Sequence, residues 1–413
     1  MMQLLVCADD LTGAMDTGVQ FAKKGIRTEV LVGSQPDFSR LDEDVQVLVV
    51  DTETRHVPPA EAEETVFHLV RRGLASGLRY FYKKTDSALR GNIGAELSGM
   101  LRAGGKPIFF LPAFPKNGRT TAAGMQKVNG VPVAESVFGK DPFEPVRHSY
   151  VRDIIREQSG AQVRDVLPGR RPEAADGDGI LVLSAETDGD LERWSREIPG
   201  APPLFLAGCA GFAEFLPNLV PFTEQRPERP RCPGKLVVLS GSVNDITLEQ
   251  LENSRGSADY WAELSDRQKF DPDYTRSADW ESCLRKIGEP GCRLSVLGVG
   301  RIDPEHEGPF ERQTPQARRR DVVSGNLGGM AYSVLRHVED ATLAVFGGDT
   351  LYKLLRLAGA RLRPCWEIEP GIVAAQLHIG GELRSLVTKS GGFGSPDVIC
   401  RIQTAVNQYK EEQ

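Results

Sequence analysis

No two cysteines in this sequence stand as C-x-x-C, and no two histidines stand as H-x-H or H-x-x-x-H. The seven cysteines (Cys7, Cys209, Cys232, Cys283, Cys292, Cys365 and Cys400) are odd in number and dispersed. That pattern argues against a disulfide framework and against a short-spaced zinc site, and it predicts a reduced, cytoplasmic compartment. Also absent is any apolar run near the roughly 18 residues a membrane-crossing helix needs. The opening "MMQLLVCADD" has no basic leader region and reaches acid early, so no signal peptide is expected. Positive charge is not concentrated. The formal net charge is −7, and Lys and Arg are scattered apart from Arg318-Arg319-Arg320, which reads as a solvated helix face. A nucleic-acid partner is therefore not expected. Neither G-x-x-x-x-G-K-[ST] nor G-x-G-x-x-G occurs.

What the chain does have is 40% apolar and 26% charged residues over a length of 413, enough for two or three folded domains. Short apolar runs at residues 3–7, 27–32, 45–50, 78–83 and 107–111 alternate with helical patterns at 12–24, 59–73 and 93–102. The alternation continues with strands at 179–183 and 203–207 and a helix at 188–197. Such spacing predicts βαβ units with a parallel sheet. The segment "VPFTEQRPERPRCPG" (220–234) is rich in Pro and charge and reads as a linker. A second alternation follows. Strands are expected at 235–239, 258–264, 293–299 and 341–346, and helices at 246–253, 315–336 and 351–357. A hairpin at 372–379 and 383–389 turns through Gly380-Gly381. The fold class expected is α/β: two α/β domains with mainly parallel sheets flanked by helices, spanning 1–225 and 235–413, joined by a linker at 226–234.

Chemistry concentrates where strands end. In the second half, Ser240-Gly241-Ser242, the turn Gly347-Gly348-Asp349-Thr350, and Lys389 with Ser390, Gly391 and Gly392 each follow an apolar run. Glycine lets the backbone approach a phosphate, and a helix N-terminus offers donors and a positive dipole end. Three such turns in one half point to a nucleotide site. In the first half, "ADDLTG" places Asp9 and Asp10 where a strand meets a helix, with Thr12 just beyond. One of Asp10 or Thr12 suffices as helix cap, which leaves an acid to face a ligand. "KTDSALRGN" gathers Lys84, Asp86, Ser87, Arg90, Gly91 and Asn92, with Asp86 or Ser87 a possible cap for the next helix. "PKNGRTT" adds Lys116 and Arg119. Guanidinium and ammonium groups suit a carboxylate or phosphate, whereas Asp, Asn and Thr suit hydroxyls. A small polyhydroxy acid satisfies both sets.

The ordered motifs "ADDLTGAMDTG" (8–18), "KTDSALRGNIGAEL" (84–97), "PAFPKNGRTT" (112–121), "LSGSVNDIT" (239–247), "GGDT" (347–350), "EIEPG" (367–371) and "TKSGGFG" (388–394) resemble the four-carbon acid sugar kinase family. The resemblance spans nearly the whole chain. It implies an N-terminal sugar-acid-binding domain, a C-terminal nucleotide-binding domain and an active site in the cleft between them. It also implies ATP-dependent phosphorylation of threonate, erythronate or 3-oxo-tetronate. Carried over by position, Ser242, the Gly347–Thr350 turn and Gly391 would hold ATP. Asp9, Asp10, Asp86, Arg90 and Asn92 would line the substrate side.

Phosphoryl transfer needs positioning, charge neutralisation by Mg²⁺ and a carboxylate near the acceptor hydroxyl. Asp9, Asp10 and Asp86 are the candidates for that carboxylate, with Lys84 and Arg90 neutralising charge. Asp349 is a candidate contact for a metal-bound water or a ribose hydroxyl. The expected partners are a four-carbon sugar acid and ATP, in a monomer or homodimer. Two other classes explain part of the pattern. A metal-dependent hydrolase or lyase would use the acids and arginines but not the glycine turns. A nucleotide-sensing protein would use the turns but not "KTDSALRGN".

Overall fold

The computed structural model describes residues 2–141, 145–167, 169, 179–228, 232, 234–301 and 307–411. Part of the expected linker (229–231 and 233) lies outside the described residues. The chain divides into two compact units, Met1–Arg226 and Pro227–Gln413.

In the first unit the strands are β1 (Leu4–Ala8), β2 (Thr28–Val32), β3 (Val47–Asp51), β4 (Tyr80–Lys84) and β5 (Ile108–Leu111). Then come β6 (Arg119–Ala122), β7 (Met125–Val128), β8 (Val131–Pro132), β9 (Val163–Val166), β10 (Ile180–Leu183) and β11 (Leu204–Gly208). Helices α1 (Leu11–Ala22), α2 (Pro59–Ala75), α3 (Ile93–Gly104), α4 (Val151–Gln158), α5 (Asp188–Glu197) and α6 (Ala210–Ala213) connect them. Within this unit the large sheet runs β2-β3-β1-β4-β11-β5-β10-β9, and every pair is parallel. Its central strands are continuous apolar runs, as a sheet covered on both faces requires: Leu4–Ala8 is buried throughout. One face packs Leu5, Cys7, Leu48, Val50 and Phe81 against Val66, Leu69 and Val70 of α2 and Ile93, Leu97 and Met100 of α3.

Two strand ends meet at β1. Ala8 is in register with Asp51 of β3 on one side and Lys84 of β4 on the other. The chain leaves β1 for β2 and β3, then crosses to β4, so β1 is where the strand order reverses. Crevices beyond the carboxyl ends of strands at such switch points are where open α/β sheets take ligands. The sequence "YKKTD" also alternates across the sheet here. Successive side chains point to opposite faces, and Lys83 reaches Glu96 of α3 while Lys84 lies against Gly13 of α1.

The second unit contains β12 (Lys235–Ser240), β13 (Tyr260–Glu263), β14 (Leu294–Gly298), β15 (Ala341–Phe346), β16 (Arg361–Glu369), β17 (Ile372–Ile379) and β18 (Glu382–Lys389). Its helices are α7 (Asp245–Asn253), α8 (Asp266–Phe270), α9 (Ala278–Gly288), α10 (Pro309–Gln313), α11 (Gln316–His337), α12 (Gly348–Ala358) and α13 (Val398–Glu411). The order is β13-β14-β12-β15-β18-β17-β16, parallel up to β18 and antiparallel beyond it.

Sequence expectation and structure agree on the main elements to within a few residues, and on the hairpin β17–β18. Several elements were not foreseen. Strand β16 carries Arg361, Arg363, Pro364, Glu367 and Glu369, which break the apolar period; its pairing with β17 is irregular between Pro364 and Trp366 and again between Glu367 and Glu369. The small antiparallel sheet β6-β7-β8 is polar and short, and β9 is an edge strand with charge at its centre. Neither Asp86 nor Ser87 caps α3. A turn through Leu89 (φ 63°) and Gly91 (φ 84°) intervenes, and Asn92 stands at the helix start without a side-chain cap bond. The Arg318–Arg320 run is not merely solvated: Arg319 pairs with Glu307 and Glu311, and Arg320 with Asp349. Among the described residues no helix is long and apolar enough to cross a membrane.

Candidate functional site

The first site is assembled from the loops after β1, β3 and β4. Asp10 is the N-cap of α1: its Oδ1 accepts from the Gly13 amide at 2.9 Å. Its Oδ2 accepts from Arg55 Nη1 at 2.7 Å. Asp9 is almost wholly buried, and its Oδ2 accepts from Arg55 Nε at 2.7 Å. The other oxygen, Asp9 Oδ1, is buried with no hydrogen-bond partner, and Lys84 Nζ stands 4.0 Å away. An unpartnered carboxylate oxygen in a buried site is costly, so it marks a place where a ligand donor belongs. Burial works against the charged form of Asp9, but Arg55, followed by Lys84 and Lys83, outweighs it and holds the carboxyl below its usual value.

Asp86 is different. Its Oδ1 accepts from Arg90 Nη2 at 2.9 Å, and its Oδ2 accepts from Arg90 Nε at 2.9 Å and from the Ala88 amide at 3.1 Å. Burial opposes its charge, but Arg90, then Arg55 and Lys84, hold it far below the ordinary carboxylate range. Asp86 is thus a satisfied carboxylate that fixes Arg90.

Arg55 was missed by sequence reasoning. It bridges Asp9 and Asp10 and stands 3.9 Å from Asp86, joining all three acids. The signal was available in "DTETRH" (51–56), which follows a strand as "ADD" and "KTD" do. Asn92 holds Arg55 in place, since its amide donates to the carbonyls of Thr54 (2.8 Å) and Val57 (2.7 Å). Asn92 and Gly91, whose carbonyl takes Gln158 Nε2, therefore shape the loop, with the Asn92 side-chain nitrogen and the Gly91 carbonyl already engaged. Thr12 lies half-buried in the first turn of α1. The Ser87 carbonyl accepts from Gln126 Nε2 at 2.9 Å. Lys116 is exposed and pairs with Glu214 at 2.7 Å. Arg119, half-buried, donates to the Asn117 carbonyl. A Cβ at Gly13 would lie 2.4 Å from Lys84 Nζ, so glycine there is what lets the ammonium settle over the helix start.

The second site lies at the ends of β12, β15 and β18. Gly347, with φ 117°, turns β15 into α12 and leaves that helix without a side-chain cap. Gly348 and Thr350 form its first turn, so its amides are open to an anion. Asp349 does not face that anion site alone: its carboxylate accepts from Arg320 Nε at 2.6 Å and Nη2 at 3.1 Å. Ser240 is buried, and its Oγ accepts from the Ser242 amide at 3.4 Å. Ser242 Oγ lies 3.3 Å from Thr247 Oγ1, which donates to the Gly391 carbonyl at 2.8 Å. Lys389 Nζ donates to Thr247 Oγ1 at 3.0 Å and to the Gly391 carbonyl at 2.5 Å. Gly392 lies beside Asn244 and Ile246. Thr247, a link between two of these loops, was quoted in a motif but not singled out. Gln250, one turn later on α7, donates to the carbonyls of Phe393, Gly394 and Ser395.

Glycine turns, hydroxyls, an open helix start and a buried ammonium make a cradle suited to polyphosphate. Among the described residues no group of three or more His, Cys, Asp or Glu is placed to hold a metal ion.

Residues 4–216 match the family model of a sugar-binding N-terminal domain, and residues 237–399 that of a nucleotide-binding C-terminal domain. A D-threonate kinase of Salmonella typhimurium is 32% identical, over 97% of this chain and 97% of that protein. This chain belongs to the four-carbon acid sugar kinase family. Other members similar to it are a D-erythronate kinase of Heliobacterium modesticaldum (27% identical, 97% and 96% covered) and a 3-oxo-tetronate kinase of Burkholderia multivorans (27%, 98% and 97%). A solved Haemophilus influenzae structure shares the fold, with a TM-score of 0.74 at 21% identity over 99% of both chains. The chain is accordingly a phosphotransferase whose C-terminal unit is a nucleotide-binding domain.

The depressed basicity of Lys389 gives a test of that nucleotide site. Burial alone lowers its pKa to about 8. The ammonium is intact well below that pH and is lost above it, and only the ammonium attracts a phosphate. ATP affinity, measured by calorimetry, is expected to weaken about tenfold between pH 7 and pH 9.5. Lys389→Met binds ATP weakly at both pH values and removes the dependence. An unchanged slope in that variant would exclude Lys389 as the titrating contact.

Proposed function

We infer that the protein transfers the γ-phosphoryl group of ATP to a hydroxyl of a four-carbon sugar acid such as threonate, erythronate or 3-oxo-tetronate. The observation that carries this reading is the buried, unpartnered Asp9 Oδ1 beside Lys84, at the switch point of the sheet. An acceptor hydroxyl donating to Asp9 Oδ1 satisfies that oxygen and is aligned for attack. Asp9 orients the hydroxyl and takes its proton as the new O–P bond forms and the bond to the departing ADP oxygen breaks. Lys84, held between α1 and β4, meets the negative charge that spreads over the transferred group. Arg55 and Arg90 keep the acids ionised and oriented.

The second site fits ATP by its donors. The start of α12, the Ser240–Ser242 turn and Lys389 would hold its phosphates. Mg²⁺ would arrive with the nucleotide, held by phosphate oxygens and water with few protein carboxylates. It would supply charge neutralisation. The dispersed free thiols support a cytoplasmic location.

The deciding experiment is a coupled assay of ADP release over D-threonate, D-erythronate and 3-oxo-tetronate with ATP and Mg²⁺. At least one acid is expected to raise ADP release at least 10³-fold over water. Equal, slow release with every acid would overturn the reading.

A further inference from the structure

Three carboxylates, Asp9, Asp10 and Asp86, face four cations, Arg55, Arg90, Lys84 and Arg119, in the first site. Burial, and after it Glu53, raise the pKa of Asp51 at the end of β3 well above the usual value. The other buried pair nearby, Lys83 and Glu96, is self-contained at 3.1 Å. Among those first three carboxylates and the four cations they face, the cations outnumber the carboxylates by one.

The surplus can be located. Arg55 and Arg90 spend their forks on Asp9, Asp10 and Asp86, and Lys84 has Asp9 at 4.0 Å. Among the described residues Arg119 has no ion-pairing carboxylate. Its one side-chain hydrogen bond goes to the Asn117 carbonyl, and its Nε is buried without a partner. A buried guanidinium N–H left unpaired is as costly as an orphaned acceptor. Arg119 is also built in. Its guanidinium lies 5.8 Å from the centre of the Phe138 ring, and Arg90 lies 5.2 Å from the same ring. The hairpin that starts at Arg119 is pinned by buried Gln126, which accepts from Thr121 at 2.7 Å and donates to Ser87 at 2.9 Å. Arg90, which shares that ring with Arg119, holds Asp86 at 2.9 Å, and this places Arg119 beside the Asp86 pair. A chain of contacts, from Asp9 to Arg55, Asp86 and Arg90 and across the Phe138 ring to Arg119, joins the unpaired Arg119 Nε to the orphaned Asp9 oxygen.

Resting on the sugar-acid reading above, we propose that Arg119 is the receptor for the substrate's carboxylate and thereby sets its direction. The acid group docks on the guanidinium, and the acceptor hydroxyl points to Asp9 and Lys84. A planar fork matches a carboxylate with two parallel N–H···O bonds, and a neutral polyol leaves it unpaired. Arg119 is thus what separates a sugar acid from the corresponding sugar alcohol.

The test compares D-threonate with threitol, its neutral counterpart, by calorimetry on the full chain. Wild type is expected to bind D-threonate at least 10²-fold more tightly than threitol. Arg119→Met should cut that ratio to within about threefold of unity while leaving the Kd for ATP unchanged. Arg119→Lys, which keeps the charge without the fork, should recover part of the ratio. Guanidinium ion added to Arg119→Ala should restore D-threonate binding. A wild-type protein that binds both ligands equally, or an Arg119→Met protein that keeps the ratio, overturns the proposal. Because the readout is binding, failure of the kinase assay leaves this test intact and strikes only the functional reading.

Discussion

Asp9→Asn lowers kcat by about 10²- to 10³-fold with the KM for ATP nearly unchanged, the size expected for loss of a positioned proton acceptor. The substitution is close to isosteric. The asparagine carbonyl still accepts from Arg55, so the Arg55–Asp10 contact at 2.7 Å survives. What changes is the group at the Oδ1 position. A carboxylate oxygen that accepts from a hydroxyl becomes an amide that either donates or, if flipped, exposes Arg55 to an N–H. Lys84 at 4.0 Å then faces a neutral group. Asp10→Asn provides the contrast. Both Asp10 oxygens are already committed, to the Gly13 amide and to Arg55, so its loss weakens a cap and a clamp without removing a free acceptor. About tenfold is expected there. Steady-state ADP release with the preferred acid, alongside thermal melts of both variants, separates the two. A loss below about threefold in Asp9→Asn would exclude Asp9 from proton transfer. The depressed pKa of Asp9 adds a sign: the carboxylate stays ionised through the neutral range, so it contributes no acid limb to the kcat profile there.

The expectation that one acid of the pair caps the helix and the other faces a ligand could be read from "ADDLTG" alone, because capping consumes a single carboxylate. In the structure Asp10 is the cap, and Asp9 is buried with Oδ1 left without a partner. Strand and helix placement was equally legible, because buried parallel strands are short apolar runs and the helices between them have clear polar starts. What a single sequence does not carry is which strand ends become neighbours. Arg55 lies 45 residues from Asp10 along the chain and bonds to it only because β3 packs beside β1. Without strand order, "DTETRH" shows only that it follows a strand, as "ADD" and "KTD" do, and not which acids Arg55 meets. The same limit hid Thr247, whose partners Lys389 and Gly391 are more than a hundred residues away on β18 and beyond. Asp86 was legible as important but not in its role. Only the geometry shows that Arg90 and backbone amides occupy its oxygens.

Lys83→Met is expected to destabilise the fold by about 3 to 5 kcal/mol, the cost of removing one partner of a buried ion pair. Lys83 and Glu96 are both fully buried, with Nζ and Oε2 3.1 Å apart. Removing the ammonium strands a carboxyl whose pKa burial already raises against the opposing pull of Lys83. Against a total stability of roughly 5 to 15 kcal/mol, that loss is visible as a large shift in a denaturant midpoint. The double variant Lys83→Met/Glu96→Gln removes both charges, and most of the stability should return, because a neutral pair, its glutamine still able to accept from the Thr54 hydroxyl, has no ion to desolvate. Activity should not return with it. Lys83 Nζ also donates to the carbonyls of Cys7 (3.2 Å) and Lys84 (2.8 Å), and Glu96 takes the hydroxyl of Thr54. Those three contacts fix the last residues of β1 and β4 and the loop after β3, from which Asp9, Lys84 and Arg55 project. A double variant that melts like wild type yet turns over about tenfold more slowly shows that the pair serves position rather than stability. A double variant restored in both respects would show that packing alone sets the strand ends, and the site would owe nothing to its buried charges.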